Sequence, residues 1–409
     1  MKKILTVIAL LGGLSLTASP IFAWTYIYTA PPVRTSSVLY KVDATPYLPW
    51  NSGGSAKAIG MGGAFTAVAD DLGGAVEYNP AGLTQLGHLD VAALAIADRT
   101  TTHNAQGKKT DKWTFTPTYA GAALRIGPLA VAISRKQPQQ PPISSRKFSS
   151  MQWGNIYAPD GFGVFYDNVS EKLDTTGLKT YALTAAIKLG RLSVGANYND
   201  INGDVTRVET GGNSANWCGN GLCNYFTNSE SVNFKGYTVD AGALLDMGIL
   251  RLGAAGKNIK GSVDLTRHAS WTDNYVAAGL WSWPEQLMGK ETLTQFAPTY
   301  TGGAALALGK ILTVDMDYVT TKLQDNKTAQ GKLGAQLAVI PGFLFVRGGL
   351  NADFKNMVNG VNNKTNQYFL GAGLKLAVLT VDASASLIQA KAGNDGNNMT
   401  GAVGAMLKF

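Results

Sequence analysis

The chain is poor in charge. Asp, Glu, Lys and Arg together make up 15% of its 409 residues, against 45% hydrophobic residues. An ordinary soluble protein carries about 25% charged residues, so a string of two or three soluble domains is a poor description. Long apolar runs are missing as well. Beyond Leu16 no stretch approaches the roughly 20 apolar residues that a transmembrane helix needs. Reactive side chains are scarce, with three histidines (His88, His103, His268) and two cysteines (Cys218, Cys223). There is no G-x-S-x-G nucleophile elbow. His103 sits among Thr, Asn, Gln and Lys, which is the company of a solvated loop. A nucleophile, its base and an orienting group are therefore not in view, and no catalytic activity or cofactor is expected. A metal site needs more ligands than two cysteines with no histidine nearby in sequence. The net charge of +8 does not come with any nucleic-acid module, so no nucleic-acid partner is expected. It suits loops lying among anionic lipid head groups.

The first residues have a destination written in them. Met1-Lys2-Lys3 is followed by an apolar run from Ile4 to Leu16 and then by Ala18-Ser19-Pro20-Ile21-Phe22-Ala23. A charged start, a short apolar core and a small residue at the end read as a secretory signal peptide, residues 1–23, cut after Ala23. In an exported chain the close pair Cys218 and Cys223 is expected to form a disulfide across a loop.

The 48 glycines and a mean hydropathy near zero mean that apolarity is spread thinly. From Leu89 onward it alternates. Met399, Gly401, Val403, Ala405, Leu407 and Phe409 share one face of a final strand, against Thr400, Ala402, Gly404, Met406 and Lys408. Leu379–Leu387 and Leu312–Tyr318 repeat the pattern. One face suits lipid and the other a polar or filled lumen. Very short turns are expected at Gly127-Pro128, Gly190-Arg191, Gly248-Ile249, Gly309-Lys310, Pro341-Gly342 and Ala377-Val378. Longer polar loops fall near 99–111, 136–177, 208–231, 268–291, 323–327, 355–364 and 392–396, with an extra strand near 162–169 and a short amphipathic helix over 276–288. Six turns alternating with seven loops make an all-β, 14-stranded antiparallel transmembrane barrel over residues 88–409. Short turns face the periplasm and long loops the exterior. The expected location is the outer membrane of a Gram-negative-type bacterium, with the lipid bilayer as partner. Barrel assembly machinery would read the C-terminal strand ending at Phe409.

Residues 24–87 are different. Pro31, Pro32, Pro46 and Pro49 break any regular element before Gly60-Met61-Gly62-Gly63-Ala64-Phe65-Thr66-Ala67-Val68-Ala69-Asp70-Asp71, which runs on to Asn79-Pro80-Ala81. The stretch lacks the last glycine of G-x-G-x-x-G and the Lys-Ser/Thr of a P-loop, so nucleotide binding is set aside. Gly60, Gly62 and Gly63 let backbone approach other surfaces, and Asp70, Asp71, Asn79 and Pro80 are turn and cap chemistry. A segment this small buries little by itself and reads as a plug for the barrel.

The Gly-rich run, the Asp70-Asp71 pair and Asn79-Pro80-Ala81 together resemble the N-terminal hatch of the FadL family of outer-membrane channels. That resemblance implies a 14-stranded barrel with a hatch over residues 24–87. It also implies passive uptake of hydrophobic molecules such as long-chain fatty acids, with lateral release through a gap beside the hatch. An alternative is a related scaffold or shuttle barrel that anchors secreted proteins. About thirty-six residues stand between Ala23 and Gly60, which is long for such a hatch. The resemblance puts Asn79, Pro80 and Ala81 beside the gap. The third strand, Leu129 to Arg135, is the shortest expected in the wall, and Pro138 follows at once. Proline cannot donate to a ladder, so pairing should fail early there.

Two further groups of residues have two readings each. Lys188, Asp240, Arg251, Lys257, Asp315, Asp317, Asp382 and Lys408 fall on expected inward faces. They make either a charged pore or, since buried charges need partners, an internal ion-pair lattice. Trp153, Tyr157, Phe162, Phe165 and Tyr166 in one loop, and Trp271, Tyr275, Trp281 and Trp283 in another, make either a landing site for greasy ligands or an interfacial anchor. Arg99, Lys108, Lys109, Lys112, Arg146 and Lys147 are candidates for lipopolysaccharide phosphates.

Overall fold

The computed structural model describes residues 54–103, 109–137, 145–148, 152–154, 164–166, 168–174, 177–212, 225–275, 279–293, 298–323, 326–358, 361–362, 366–388 and 398–409. Its wall begins with β1 (Leu89–His103), β2 (Lys109–Ile126) and β3 (Leu129–Lys136), each paired antiparallel to the next. Four short strands follow in the long connection: β4 (Ser145–Phe148), β5 (Gln152–Gly154), β6 (Val164–Tyr166) and β7 (Asn168–Asp174). The wall resumes with β8 (Lys179–Leu189), β9 (Leu192–Gly212), β10 (Tyr225–Asp246) and β11 (Leu250–Tyr275). After β12 (Gly279–Leu293) come β13 (Thr299–Leu308), β14 (Leu312–Leu323), β15 (Asn326–Ile340) and β16 (Leu344–Val358). The chain ends with β17 (Val361–Asn362), β18 (Asn366–Leu376), β19 (Leu379–Ile388) and β20 (Asn398–Lys408).

β3 pairs with β8, β11 with β13 and β16 with β18, and β20 returns to β1 through Asp90↔Lys408 to Asp98↔Thr400. The result is a closed antiparallel barrel of fourteen strands, with no free edge in its lower wall. Its six tight turns fall where the glycine and proline signals put them. Each contains one residue of left-handed backbone: Gly127, Gly190, Gly248, Gly309, Gly342 and, at φ 51°, Ala377.

The alternation is visible in burial. Along β3 the even positions Ala130, Ala132, Ser134 and Lys136 are buried and Leu129, Val131 and Ile133 are exposed. Leu183, Leu306, Met316, Leu370 and Val403 are exposed in the same way on other strands. Toward the long-loop end stand Phe115, Tyr181, Tyr198, Tyr300, Tyr318, Phe354 and Tyr368, all exposed. An apolar outer band edged by aromatic side chains is the surface that a lipid bilayer covers.

The structure corrects the loop boundaries. β9, β10 and β11 run deep into the expected loops, pairing out to Tyr225↔Gly212 and Tyr225↔Asn274. The expected amphipathic helix over 276–288 is instead part of β12, which pairs with β11 from Val263↔Leu293 to Tyr275↔Gly279. The register of the long β11 edge decides this, since an unpaired ladder accepts extended chain more readily than helix. The extra strand near 162–169 corresponds to β6 and the start of β7.

Candidate functional site

Residues 54–87 lie inside the wall. They form α1 (Ala56–Gly60), α2 (Leu72–Glu77) and a 3-10 turn (Pro80–Gln85), with nearly every residue buried. Ser55 caps α1 by accepting from the Ala58 amide, and Asp71 caps α2 by accepting from the Gly74 amide. Asn79 caps the 3-10 turn and Pro80 opens it, a position that needs no N–H. None of these pieces is long enough to be a stable helix alone. Enclosure by the barrel holds them.

The fit is made by glycine. Inward positions Gly195, Gly242, Gly253, Gly303, Gly334, Gly349, Gly371 and Gly404 face this segment from eight different strands. A side-chain carbon on Gly242 would stand 2.1 Å from Asn79 Oδ1, and one on Gly349 would stand 2.2 Å from the Gly62 backbone nitrogen. Gly62 and Gly63 meet the wall in left-handed conformation, at φ 69° and 71°. Backbone therefore packs on backbone around the circumference, and much of the glycine-rich composition has this as its cause.

Polar groups lock the segment in register. Asn79 is fully buried. Its Nδ2 donates to Thr66 O at 2.8 Å and to Ala243 O of β10 at 2.9 Å, and its Oδ1 accepts from the Ala81 amide at 3.2 Å. Asp317 of β14 accepts from the Phe65 and Thr66 amides at 2.9 and 3.0 Å. Asn197 Nδ2 donates to Val76 O at 2.7 Å, and Thr84 and Ser193 hydroxyls meet at 2.8 Å. Asp70 is paired with Lys57 at 2.7 Å. Asp71 accepts from Gly74 N at 2.6 Å and from the Ser55 hydroxyl. Burial first, and the neighbouring Asp70 charge second, push Asp71 from 3.8 up to about 6. For Asp70 burial pushes the other way from Lys57, whose charge and hydrogen bond win and hold its carboxyl below 3.8.

The raised Asp71 has a measurable consequence. The folded chain holds that proton more tightly than the unfolded chain, so the stabilisation is complete below about pH 4 and is lost as pH rises through about 6. Hydrogen-exchange protection of the Gly74 amide region should fall across that window, and Asp71→Asn should flatten the slope. Protection that rises with pH there would contradict the assignment.

A deeply buried ionic group of the inner segment is Glu77, 1% exposed, at the end of α2. It faces Lys136 of β3 at 3.4 Å and Lys257 of β11 at 3.5 Å. Lys136 also donates to Asn199 at 2.9 Å, and Lys257 lies 5.6 Å from the Tyr78 ring centre. Asn199 and Asn197 donate to Asp240, which accepts the Asn258 amide at 2.8 Å in an irregular turn of β11. Asn258 has φ 55° there, and such a bulge re-aims the neighbouring Lys257. This network ties α2 to the upper end of β3.

That end of β3 is where the wall changes. β3 has eight residues, and its ladders with β2 and β8 are complete from Leu129 to Lys136. The last contact with β2 is the Gln137 amide donating to Thr118 O at 2.7 Å. Among the described residues nothing pairs with β2 on this side from Lys109 to Pro117, and Pro117 has no N–H to offer. Across the interval β7 pairs with β9, and β4 pairs with β7 rather than with β2. A seam thus opens above β3, bounded by β2 on one side and β4 on the other.

The expected site residues sort as follows. Gly60, Gly62, Gly63, Asp70, Asp71, Asn79, Pro80 and Ala81 come together inside the barrel. Asn79–Ala81 sit on the β9–β10 side of the 3-10 turn, which also touches β8 and β3. They pack on Gly195 of β9 and Gly242 of β10, because only a wall position without a side chain admits the Pro80 backbone. Leu129 is an outward residue beside the β2–β3 turn, far from the seam, while Arg135 stands next to it and donates to Gln137 at 3.2 Å. Pro138, Cys218, Cys223 and the loop aromatic and basic side chains lie outside the described residues. Of the charges expected to face inward, Lys188 is exposed near a turn, Arg347 joins Asp382 at 2.6 Å, and Asp317 accepts from two backbone amides with Lys332 of β15 across the ladder from it. The interior is therefore part ion-pair lattice and part amide-binding carboxylates. Glu77, Lys136, Asn197 and Asn199 were not singled out from sequence. The alternating Asn197-x-Asn199 on an inward face was the signal for two of them.

No protein-family model and no curated protein sequence matches the chain. Solved structures do share the architecture of a closed fourteen-stranded barrel. The toluene transporter TodX of Pseudomonas putida aligns with 87% of this chain and 98% of its own, at 13% identity and a TM-score of 0.57. A second structure of that transporter gives 14% identity, 87% and 97% coverage and a TM-score of 0.55. A TodX deltaS2S3 mutant, described as a monoaromatic hydrocarbon channel, gives 12% identity, 84% and 99% coverage and 0.53. At these identities the likeness is one of fold.

Proposed function

We propose that the chain is an outer-membrane channel for passive transfer of hydrophobic molecules, long-chain fatty acids among the candidates. In this reading residues 24–87 serve as its hatch. The single observation that carries the reading is the combination of a filled bore and an interrupted wall. The inner segment meets backbone on eight strands, so a straight path needs the segment to be dislodged. The seam above β3 offers a sideways path at the level of Tyr181, which pairs with Arg135 and marks the upper aromatic edge. A ligand leaving there emerges at the aromatic edge of the bilayer and gains about 0.8 kcal/mol per methylene as it buries itself in the hydrocarbon below. The shared fold of the toluene transporter and monoaromatic hydrocarbon channel TodX supports the substrate class. The sequence alone points to an exit between β3 and a neighbour. The complete β3 ladders favour an exit above β3, between β2 and β4.

The test uses Thr116→Cys on β2 and Lys147→Cys on β4, joined by a thiol cross-linker. Uptake of an uncharged aromatic hydrocarbon and of a long-chain fatty acid should both fall at least about tenfold, the effect of blocking one obligatory step of about 1.4 kcal/mol or more. The barrel should keep its heat-modifiable migration. Normal uptake in the cross-linked protein would rule out the lateral route and leave a path through the inner segment.

A further inference from the structure

The two ends of the barrel differ in charge, and the short-turn end has almost one sign. Lys188 and Arg191 flank the β8–β9 turn, Lys310 lies in the β13–β14 turn and Lys375 precedes the β18–β19 turn, all exposed. The carboxylates near this end are taken. Asp246 faces Arg251 at 3.8 Å, Asp70 is bound to Lys57, and Asp90 is buried and accepts from the Gly87 amide. Among the described residues no ion pair joins a carboxylate to any of the four exposed cations, and Asp246, whose amide donates to the Arg191 carbonyl at 2.9 Å, is the one acid beside them. Each of them stands beside exposed apolar residues at the turn, such as Leu189, Ile311 and Leu376. Above the aromatic edge at the other end, by contrast, Asp200, Asp204 and Asp264 stand exposed among Lys179, Lys235 and Lys260.

A turn tip that is apolar on one side and cationic on the other fits the level where acyl chains meet head groups. The aliphatic stem of Lys or Arg lies along hydrocarbon and its charge reaches out to the phosphate layer. We propose that the short-turn rim is a phosphate-binding collar, selective for anionic glycerophospholipid head groups of the periplasmic leaflet. The orientation rests on the outer-membrane reading above. The collar itself does not depend on what the channel carries. The ligand atoms recognised are the phosphodiester oxygens, and the net charge of the lipid sets the preference because each basic side chain adds attraction near the surface. An acidic soluble protein would need a contiguous docking face, whereas these cations are spread around the circumference from β8 to β19, with Lys188 and Arg191 sharing one turn and Lys310 and Lys375 each at a separate turn. That spacing matches separate lipids.

The experiment compares the full chain in bilayers of phosphatidylcholine with and without phosphatidylglycerol, and measures the lipids that remain bound by native mass spectrometry. Bound phosphatidylglycerol should be enriched roughly three- to tenfold over its bulk fraction, falling as salt is raised. The variant Lys188→Gln, Arg191→Gln, Lys310→Gln, Lys375→Gln should return to parity while uptake of hydrophobic substrate is retained. If the fourfold variant fails to insert, Lys310→Gln and Lys375→Gln singly should each lower the enrichment in part. No enrichment in the unaltered protein, enrichment unchanged in the variants, or capture of an acidic protein with no lipid preference would each overturn the proposal.

Discussion

Glu77→Gln should destabilise the inner segment by about 3–5 kcal/mol, the cost of leaving buried charge without its partner. The side chain is 1% exposed and faces two lysines, one of which, Lys136, is itself nearly as buried. Glutamine keeps the shape and removes the charge, so Lys136 and Lys257 are left to each other. Lys257 is the more exposed of the two and can turn toward water. Lys136 keeps Asn199 but loses its counter-charge. Because Lys136 is the last residue of β3, the disturbance reaches the lower margin of the seam. Hydrogen exchange over residues 72–87 should speed up, and exchange in β14 and β18 should not. Glu77→Asp, which keeps the charge on a shorter arm, should lose much less. If Glu77→Gln costs under about 1 kcal/mol, the range of an exposed ion pair, the triad does not hold α2 in place.

How much of this was legible beforehand varies by element, for physical reasons. The barrel was legible because a lipid-covered wall imposes a period of two on every strand, and tight turns demand glycine or its equivalent. Strand count and all six turn positions follow from those signals. The upper reaches of β9 to β12 were not legible. Outside the membrane both faces of a strand are free to be polar, so the alternation fades while the ladder continues. The inner segment announced its role as a filler through Gly60, Gly62 and Gly63, but its partners could not be read. The glycines that receive it, such as Gly195 and Gly242, look the same in sequence as turn glycines. Asn79 shows the limit most clearly. Its turn chemistry was evident, yet its second amide hydrogen goes to Ala243 O, 164 residues away, and no local pattern encodes that. Pro117 was passed over for a related reason. A proline within a wall strand is informative only once the neighbouring strand is known to stop beside it.

Gly349→Val should expel the inner segment and leave the wall standing. The inward face of Gly349 touches the Gly62 nitrogen and the Met61 carbonyl carbon, so even the first added carbon would stand 2.2 and 2.4 Å from them. Both obstacles are backbone, and Gly62 is held in a left-handed turn, so neither can swing aside as a side chain would. Overpacking a closed site costs about 1–3 kcal/mol when neighbours can shift, and here the cost should exceed that range. The wall has its own support, since β16 remains paired with β15 and β18 on either side. The expected protein is heat-modifiable and membrane-inserted, is cut by protease within residues 54–87, and leaks small hydrophilic solutes through a bore that is no longer filled. Gly348→Ala is the matched control. Its added carbon meets only the Phe369 carbonyl oxygen, at 4.0 Å, so it should behave as the unaltered protein. A Gly349→Val barrel that stays sealed and protease-resistant would mean that the inner segment can sit away from the wall. The interrupted ladder above β3 would then no longer be the open route, because a loosely held segment provides a path of its own.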